Sequence, residues 1–374
     1  MKKIIFLTVS IIYGLGLVMI YSTTSADILD TGQEFSYNQP IFRQIIYGFF
    51  GLLLGFSVYK IGYRRFLELS PMILGFLTFL LFLILIPGVT REINGAKRWI
   101  RIGGFSLQPS EFVKYILPIY VMFRVKAEKF TTIGTKKLLR IMAAISVPLV
   151  LILLEPNNGT VGVIGFGFLV LLVLMEIPWR YIGIPFAILA VGGGIFAGKL
   201  PYVKARIQVY LHPELDLRGR GHQPFQAKIA AGSGKLLGMG PGHSWQKLSY
   251  LPEAQNDYIA AIYGEEFGFI GISFLLLLYL TLLYAGYSIG VNASDVGGFY
   301  IAGVVTFLIG FQAFLNLGVV SGLLPSTGLN LPFFSQGGSS LLANGMGIGL
   351  LLSVNRPQEH LNRKYNDRGF SSNI

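Results

Sequence analysis

Across 374 residues the hydrophobic share is 53% and the charged share 13%, with 30 Lys and Arg against 18 Asp and Glu for a net charge of +12. An ordinary soluble domain carries about 25% charged residues, so this composition excludes one and points to a polytopic membrane protein. With no cysteine in the chain, disulfides, thiolate metal sites and a cysteine nucleophile are excluded too.

A membrane span needs about 20 mainly apolar residues. Ten stretches meet or approach that: 4–21, 42–59, 67–87, 110–125, 141–154, 160–178, 181–198, 257–286, 298–319 and 336–354. The expected fold is therefore all-α, one transmembrane domain over 1–356 with a polar tail over 357–374. The first span follows Lys2-Lys3 and precedes Tyr21-Ser-Thr-Thr-Ser-Ala26, a pattern shared with cleavable signal peptides. Its length and the nine spans behind it favour an uncleaved anchor.

Lys and Arg in short loops set orientation. With the N-terminus inside, the inner loops hold Lys60, Arg64, Arg65, Arg124, Lys126, Lys129, Lys136, Lys137, Arg140 and Arg180, and the C-terminus is inside as well. The first outer loop is acidic, with Asp27, Asp30 and Glu34. Two outer loops break the pattern. Loop 88–109 carries Arg91, Lys97, Arg98 and Arg101, and loop 199–256 carries Lys199, Lys204, Arg206, Arg218, Arg220, Lys228, Lys235 and Lys247. Outer positive charge that topology does not need suits phosphate groups, although a long loop translocates whatever its charge and anionic lipid headgroups attract the same residues. Loop 88–109 is short, so there the phosphate reading is favoured. Loop 199–256 is too small and Gly-rich to bury a core of its own and is expected to lie on the bundle, with a short interfacial helix from Phe225 to Ala231.

Ionisable residues within the spans are the main functional signal. Glu111 and Lys114 lie three apart on one helix face and can neutralise each other. Glu155 ends the fifth span just before the turn-forming Pro156-Asn-Asn-Gly159. Asp257 stands where the basic loop enters the eighth span, in its expected first turn, with Gln255 or Asn256 as cap. Glu265 lies eight residues on, about 12 Å along a helix axis, too far for a carboxylate pair. It and Glu266 are expected to bond to neighbouring helices. Asp257 is thus the carboxylate best placed to accept a proton from a substrate hydroxyl. Gly232-Ser-Gly-Lys235 fails the phosphate-loop pattern because Leu236 follows and no Gly stands five before Gly234. The four histidines, His212, His222, His243 and His360, lack metal-ligand spacing. Neither a nucleotide nor a protein-held metal is expected.

Three segments carry a resemblance: Asn94-Gly-Ala-Lys-Arg-Trp99 with Gln108-Pro-Ser-Glu111; Gly240-Pro-Gly-His-Ser-Trp-Gln-Lys-Leu-Ser-Tyr-Leu-Pro-Glu-Ala-Gln-Asn-Asp-Tyr258 with Gly264-Glu-Glu-Phe-Gly-Phe-Ile-Gly271; and Asn316 to Pro325 with Leu331-Pro-Phe-Phe-Ser-Gln-Gly-Gly-Ser-Ser340. They resemble the SEDS family (shape, elongation, division and sporulation), and the wording at Gln246-Lys-Leu and Leu251-Pro-Glu-Ala is closer to its division-type members. The resemblance implies a peptidoglycan glycosyltransferase of the bacterial inner membrane that polymerises lipid II into nascent glycan. The implied partners are a class B penicillin-binding protein (an FtsI-like transpeptidase) and other division membrane proteins, with no nucleic acid.

In that family Asp257 falls on the catalytic aspartate. Arg98, Gln108, Glu111 and Lys114 fall on its other recurrent polar positions; with the outer basic residues Lys97, Arg101, Arg206, Arg218 and Lys247, and with Glu253 and Ser339, they make the expected substrate-binding set. The chain departs from the family pattern at Asn157, where the family has Asp, at Gln255-Asn256, where it has His-Thr, and at Gln336, where it has Tyr. In lipid II polymerisation a sugar hydroxyl attacks an anomeric carbon and a lipid diphosphate leaves. Asp257 would take the proton and the outer Arg and Lys would stabilise the leaving group. A single inverting displacement is expected, since one well-placed carboxylate is in view, and a divalent cation (Mg or Mn) could share the diphosphate charge. The tails would rest between spans, where Gly345, Gly347 and Gly349 permit close approach, although simple helix packing accounts for them equally. A lipid flippase, which should show interrupted helix pairs, and a non-catalytic division scaffold are the alternatives.

Overall fold

Long apolar runs in lipid must satisfy their backbone internally, and the chain does so as helices. The computed structural model describes residues 1–31, 40–88, 90, 97–102, 105–126, 135–177, 183, 207–212, 221–247, 251 and 254–356. The helices are α1 (Lys2–Thr31), α2 (Pro40–Ile61), α3 (Tyr63–Leu85), α4 (Pro109–Lys126), α5 (Thr135–Leu154), α6 (Asn158–Leu174), α7 (His222–Ser233), α8 (Ile259–Val291), α9 (Val296–Val320) and α10 (Gly338–Val354). Among the described residues α1, α2, α3, α8 and α9 are long and apolar enough to cross a membrane, and shorter apolar helices cover 140–154, 158–174 and 338–354. The protein is an all-α polytopic membrane protein. Nine of the ten expected spans coincide with helices; the expected span 181–198 and the tail after 356 lie outside the described residues.

α4 is at the centre of the bundle, with Val113, Lys114, Tyr115, Ile116 and Leu117 all at 0–1% exposure. Burial in protein rather than lipid is what lets a helix carrying Glu111 and Lys114 sit at membrane depth. Around it α2 and α10 form a close seam. A Cβ on Gly55 or on Gly345 would come within 2.6 Å of a carbonyl oxygen of the facing helix, so only hydrogen fits there. Gly347 instead faces the Tyr115 ring. These glycines therefore serve packing. Lys2 Nζ donates to the Asn355 carbonyl at 2.9 Å and Arg356 to the Lys60 carbonyl at 2.6 Å, so the start of α1 and the ends of α2 and α10 meet at one end of the bundle.

Two features depart from expectation. Loop 88–109 contains a hairpin, β1 (Ile100–Ile102) and β2 (Phe105–Leu107), antiparallel with Arg101 opposite Ser106. Two short runs flanking Gly103-Gly104 are the sequence signal for it. α8 is broken rather than continuous: Gly268 has φ 65 and ψ −162. Segment 235–240 splints the break. Met239 and Gly240 donate to the carbonyls of Glu265 and Glu266 at 2.9 and 3.0 Å, and the amides of Phe269 and Ile270 donate to the carbonyls of Lys235 and Leu236 at 2.9 and 3.2 Å. An interrupted helix is tolerated in a membrane only when its freed backbone groups find such partners. The Gly-rich wording of Gly232-Ser-Gly-Lys235 serves this contact: Gly234 abuts the Gly264 carbonyl and Gly238, at φ 82, abuts that of Glu266. α7 is longer than the 225–231 expected, and Ala227 and Ala230 are its buried face.

Candidate active site

Asp257 is half-buried in the turn 254–258. α8 starts two residues later, at Ile259, and its N-cap is Tyr258 with no side-chain capping bond. Asp257 therefore does not sit in the first helical turn, and neither Gln255 nor Asn256 is the N-cap. Its position is set from outside the helix. Asn316 of α9 donates through Nδ2 to the Asp257 carbonyl at 2.8 Å, and the Gln336 amide donates to the Gln255 carbonyl at 2.9 Å. The second bond joins two of the three places where the chain departs from the family pattern. It is a main-chain bond, so it does not depend on which side chains stand there.

A ladder of buried polar groups runs from α4 to that turn. Lys114 Nζ donates to Glu111 Oε2 at 2.9 Å and to Gln312 Oε1 at 2.6 Å. Gln312 Nε2 donates to the Asn330 carbonyl at 2.8 Å, and Asn330 Nδ2 to the Gln336 carbonyl. Gln44 of α2 steadies the same segment, donating to the Ser335 carbonyl at 3.1 Å and accepting from the Gly337 amide at 3.3 Å. The expected Glu111–Lys114 pair is thus present, and Lys114, at 1% exposure, is a buried strut. Charge buried this deeply has to be paired and hydrogen-bonded, and this ladder supplies both.

The hairpin is the other wall. Ser339 Oγ accepts from the Gln108 amide at 2.8 Å and donates to the Ser106 carbonyl at 3.1 Å, and Tyr47 Oη donates to Ser106 O at 3.1 Å. The Ser339 hydroxyl proton is committed to the backbone, so Ser339 locks the hairpin to α10. Gln108 is half-buried, its Nε2 on Ser110 Oγ at 3.2 Å, and Asn157 Nδ2 reaches the same oxygen at 3.2 Å. The third departure from the family pattern therefore lies beside the start of α4. On the hairpin Arg101 is exposed and Lys97 half-buried. Arg98 Nε donates to the Glu155 carbonyl at 3.0 Å and its Nη2 to that of Pro156, which ties the hairpin base to the turn before α6. The Glu155 carboxyl, in the turn that follows α5, is 0% exposed and neither oxygen finds a hydrogen bond among the described residues. Burial pushes its pKa up to about 8, against the opposing pull of Arg98.

The structure corrects the role expected of Lys247. It is 7% exposed, and Nζ is held by Glu266 Oε1 and Ser22 Oγ, both at 2.9 Å. An ammonium closed into a buried ion pair is not presented to a diphosphate. Glu265 accepts from Ser244 Oγ at 2.5 Å and from the Trp245 amide at 3.1 Å. Glu265 thus holds the loop before Asp257, and Glu266 bonds to α1 through Ser22. Arg206, Arg218 and Glu253 lie outside the described residues. Among the described residues no group of three or more His, Asp or Glu gathers to hold a metal. Sequence reading missed Gln312, Asn316, Asn330 and Gln44. Two amides four apart within an apolar helix, Gln312 and Asn316, share one face and were the available signal.

The comparisons agree with this architecture. Residues 2–360 match the FtsW/RodA/SpoVE family model, described as cell cycle protein. The chain is 35% identical over 353 residues to stage V sporulation protein E of Bacillus subtilis (strain 168), covering 91% of this chain and 93% of that one. It is 37% identical over 347 residues to the probable peptidoglycan glycosyltransferase FtsW of Geobacter sulfurreducens, covering 91% of each. Among solved structures, one reported for the coordination of polymerization and crosslinking by a peptidoglycan synthase complex superposes with TM-score 0.74 at 28% identity, over 94% of this chain and 96% of that one. The rod shape determining protein RodA of Thermus thermophilus superposes with TM-score 0.66 at 28% identity, over 94% and 95%. The chain belongs to the FtsW/RodA/SpoVE family.

Proposed function

We infer that this chain is a peptidoglycan glycosyltransferase that polymerises lipid II in the bacterial inner membrane during cell division, with Asp257 as general base. The observation that carries the assignment of the base is the placement of Asp257: a half-buried carboxylate outside the helical ladder of α8, on a turn pinned by Asn316 and Gln336. A carboxylate so held can take the proton of an attacking sugar hydroxyl without moving. Arg101, Lys97 and Arg98 on the hairpin supply positive charge for the leaving diphosphate, and Gln108 lies at the hairpin's end. Arg206, Arg218 and Glu253 join this set on sequence grounds. Glu111, Lys114, Ser339 and Lys247 support the walls. A magnesium or manganese ion would add charge to the diphosphate, and no step is assigned to it.

A class B penicillin-binding protein and other division proteins are the partners we propose, supported by the fold shared with a subunit of a peptidoglycan synthase complex. The splinted break in α8 gives little support to a flippase, since the backbone groups named at the break are already bonded within the chain. The test is polymerisation of labelled lipid II by purified protein, with and without its partner. Asp257→Asn should fold and bind lipid II but make no glycan; glycan made at the wild-type rate would sink the reading.

A further inference from the structure

Asn316 lies in the last turns of α9, in the apolar run Phe314-Leu-Asn-Leu317, and is 1% exposed. Its Nδ2 donates to two main-chain carbonyls from different segments, Asp257 at 2.8 Å and Leu329 at 2.7 Å. Reversing the amide would set its oxygen against both carbonyls, so the two acceptors fix its orientation. Oδ1 then has no hydrogen-bond partner among the described residues. A leucine would fill nearly the same space without the orphan Oδ1, but it would take the donor away from both carbonyls. Packing alone therefore does not explain an amide at this position, and the two donated bonds do.

The Asp257 carbonyl is where such support matters. The Ala261 amide closes onto the Tyr258 carbonyl at 2.8 Å, so the ladder of α8 begins after Asp257. Through Asn316 the residue is tied instead to α9 and, by way of Leu329, to the segment that also delivers Gln336 to the Gln255 carbonyl. Leu329 in turn packs on Gly159 at the start of α6, where a Cβ would lie 3.2 Å from its Cγ. Asn316 is thus a side chain that links the Asp257 main chain to α9 and to the Leu329 segment.

We propose that Asn316 is a positioning residue for the base: it holds the Asp257 main chain through its carbonyl and so sets the reach of the carboxylate toward the attacking hydroxyl. The proposal rests on the reading of Asp257 as general base. It is tested with the full-length protein in detergent on labelled lipid II, comparing wild type with Asn316→Leu, Asn316→Asp and Asp257→Asn. Asn316→Leu should lower its thermal midpoint modestly, because two carbonyls lose their donor, keep its KM, and lose about 10²-fold in kcat per folded molecule, the scale of loss for a reacting group misplaced by ~1 Å. In Asn316→Asp the buried carboxyl regains a donor when protonated, so its rate relative to wild type should rise as pH falls, while the relative rate of Asn316→Leu stays flat. Should the leucine variant not fold, that pH-dependent ratio decides alone, and a flat ratio overturns the proposal. Asn316→Leu at wild-type kcat, or with a loss matching its loss of folded protein, overturns it while an inactive Asp257→Asn leaves the base in place. Asp257→Asn at the wild-type rate removes the base and this proposal together.

Discussion

Lys247 and Arg101 carry the same charge in basic loops but stand in opposite surroundings. Removing Lys247 would leave Glu266 buried at 2% exposure without its cation, a loss that typically costs about 3–5 kcal/mol. Lys247→Ala should therefore lower the thermal midpoint sharply before any effect on binding can be read. Arg101 is exposed, so Arg101→Ala should leave the midpoint unchanged and weaken lipid II binding, more at low salt than at high. Binding isotherms at two ionic strengths, beside melts of both variants, check the pair. Glu155 gives a second residue-scale prediction. Its pKa is raised from 4.5 to about 8, so the folded state holds a proton that the unfolded state releases between those values. Stability should then fall as pH rises from about 4.5 through about 8 and level off above that. Glu155→Gln should flatten that slope in melts taken across the range; an unchanged slope would count against burial as its cause.

The break in α8 was hidden at the level of the element. Composition shows Phe267-Gly-Phe within a long apolar run, and a single glycine in such a run reads as a continuous helix. The interruption comes from the loop 235–240, which docks only when Gly268 takes φ 65 and ψ −162, a region open essentially to glycine. A Cβ there would also come within 2.6 Å of the Leu236 carbonyl oxygen. Gly268→Ala should cost roughly 1–3 kcal/mol or more and raise hydrogen exchange at Met239 and Gly240, whose amides bond across the break. At the start of α9, Asp295 is an N-cap that accepts from the Gly298 amide at 2.7 Å and from Arg64 and Tyr63. Burial opposes its ionisation, but those donors outweigh it and hold its carboxyl below the usual value. The stability it contributes is present above the ordinary carboxylate pKa and is lost as pH falls through the lowered one. Asp295→Ala should cost about 0.5–2 kcal/mol for the cap alone, measurable as a drop in midpoint at neutral pH that shrinks in acid.

For the molecule as a whole, the glycine seam between α2 and α10 brings Gln44 to the 335–337 turn and so to the segment behind Asp257. Gly345→Leu should spread the seam and reduce polymerisation together with stability, a coupled loss unlike the loss in kcat per folded molecule expected at Asn316. The spans, the pairing of Glu111 with Lys114 and the place of Asp257 where a loop meets a long helix were legible because they depend on local chemistry: apolar runs of membrane length, a three-residue spacing, a carboxylate at a boundary. The burial of Lys247, the splinted break at Gly268, the hairpin's lock on Ser339 and the Asn316 tether were not, because each depends on which distant backbone groups come within hydrogen-bond reach. Sequence by itself determined that this is a helical membrane protein with one exceptional carboxylate at the mouth of a span. Only the tertiary structure decided which basic residues remain open to an anion and what holds that carboxylate, because charge is written in the sequence while burial and partnership are set by packing.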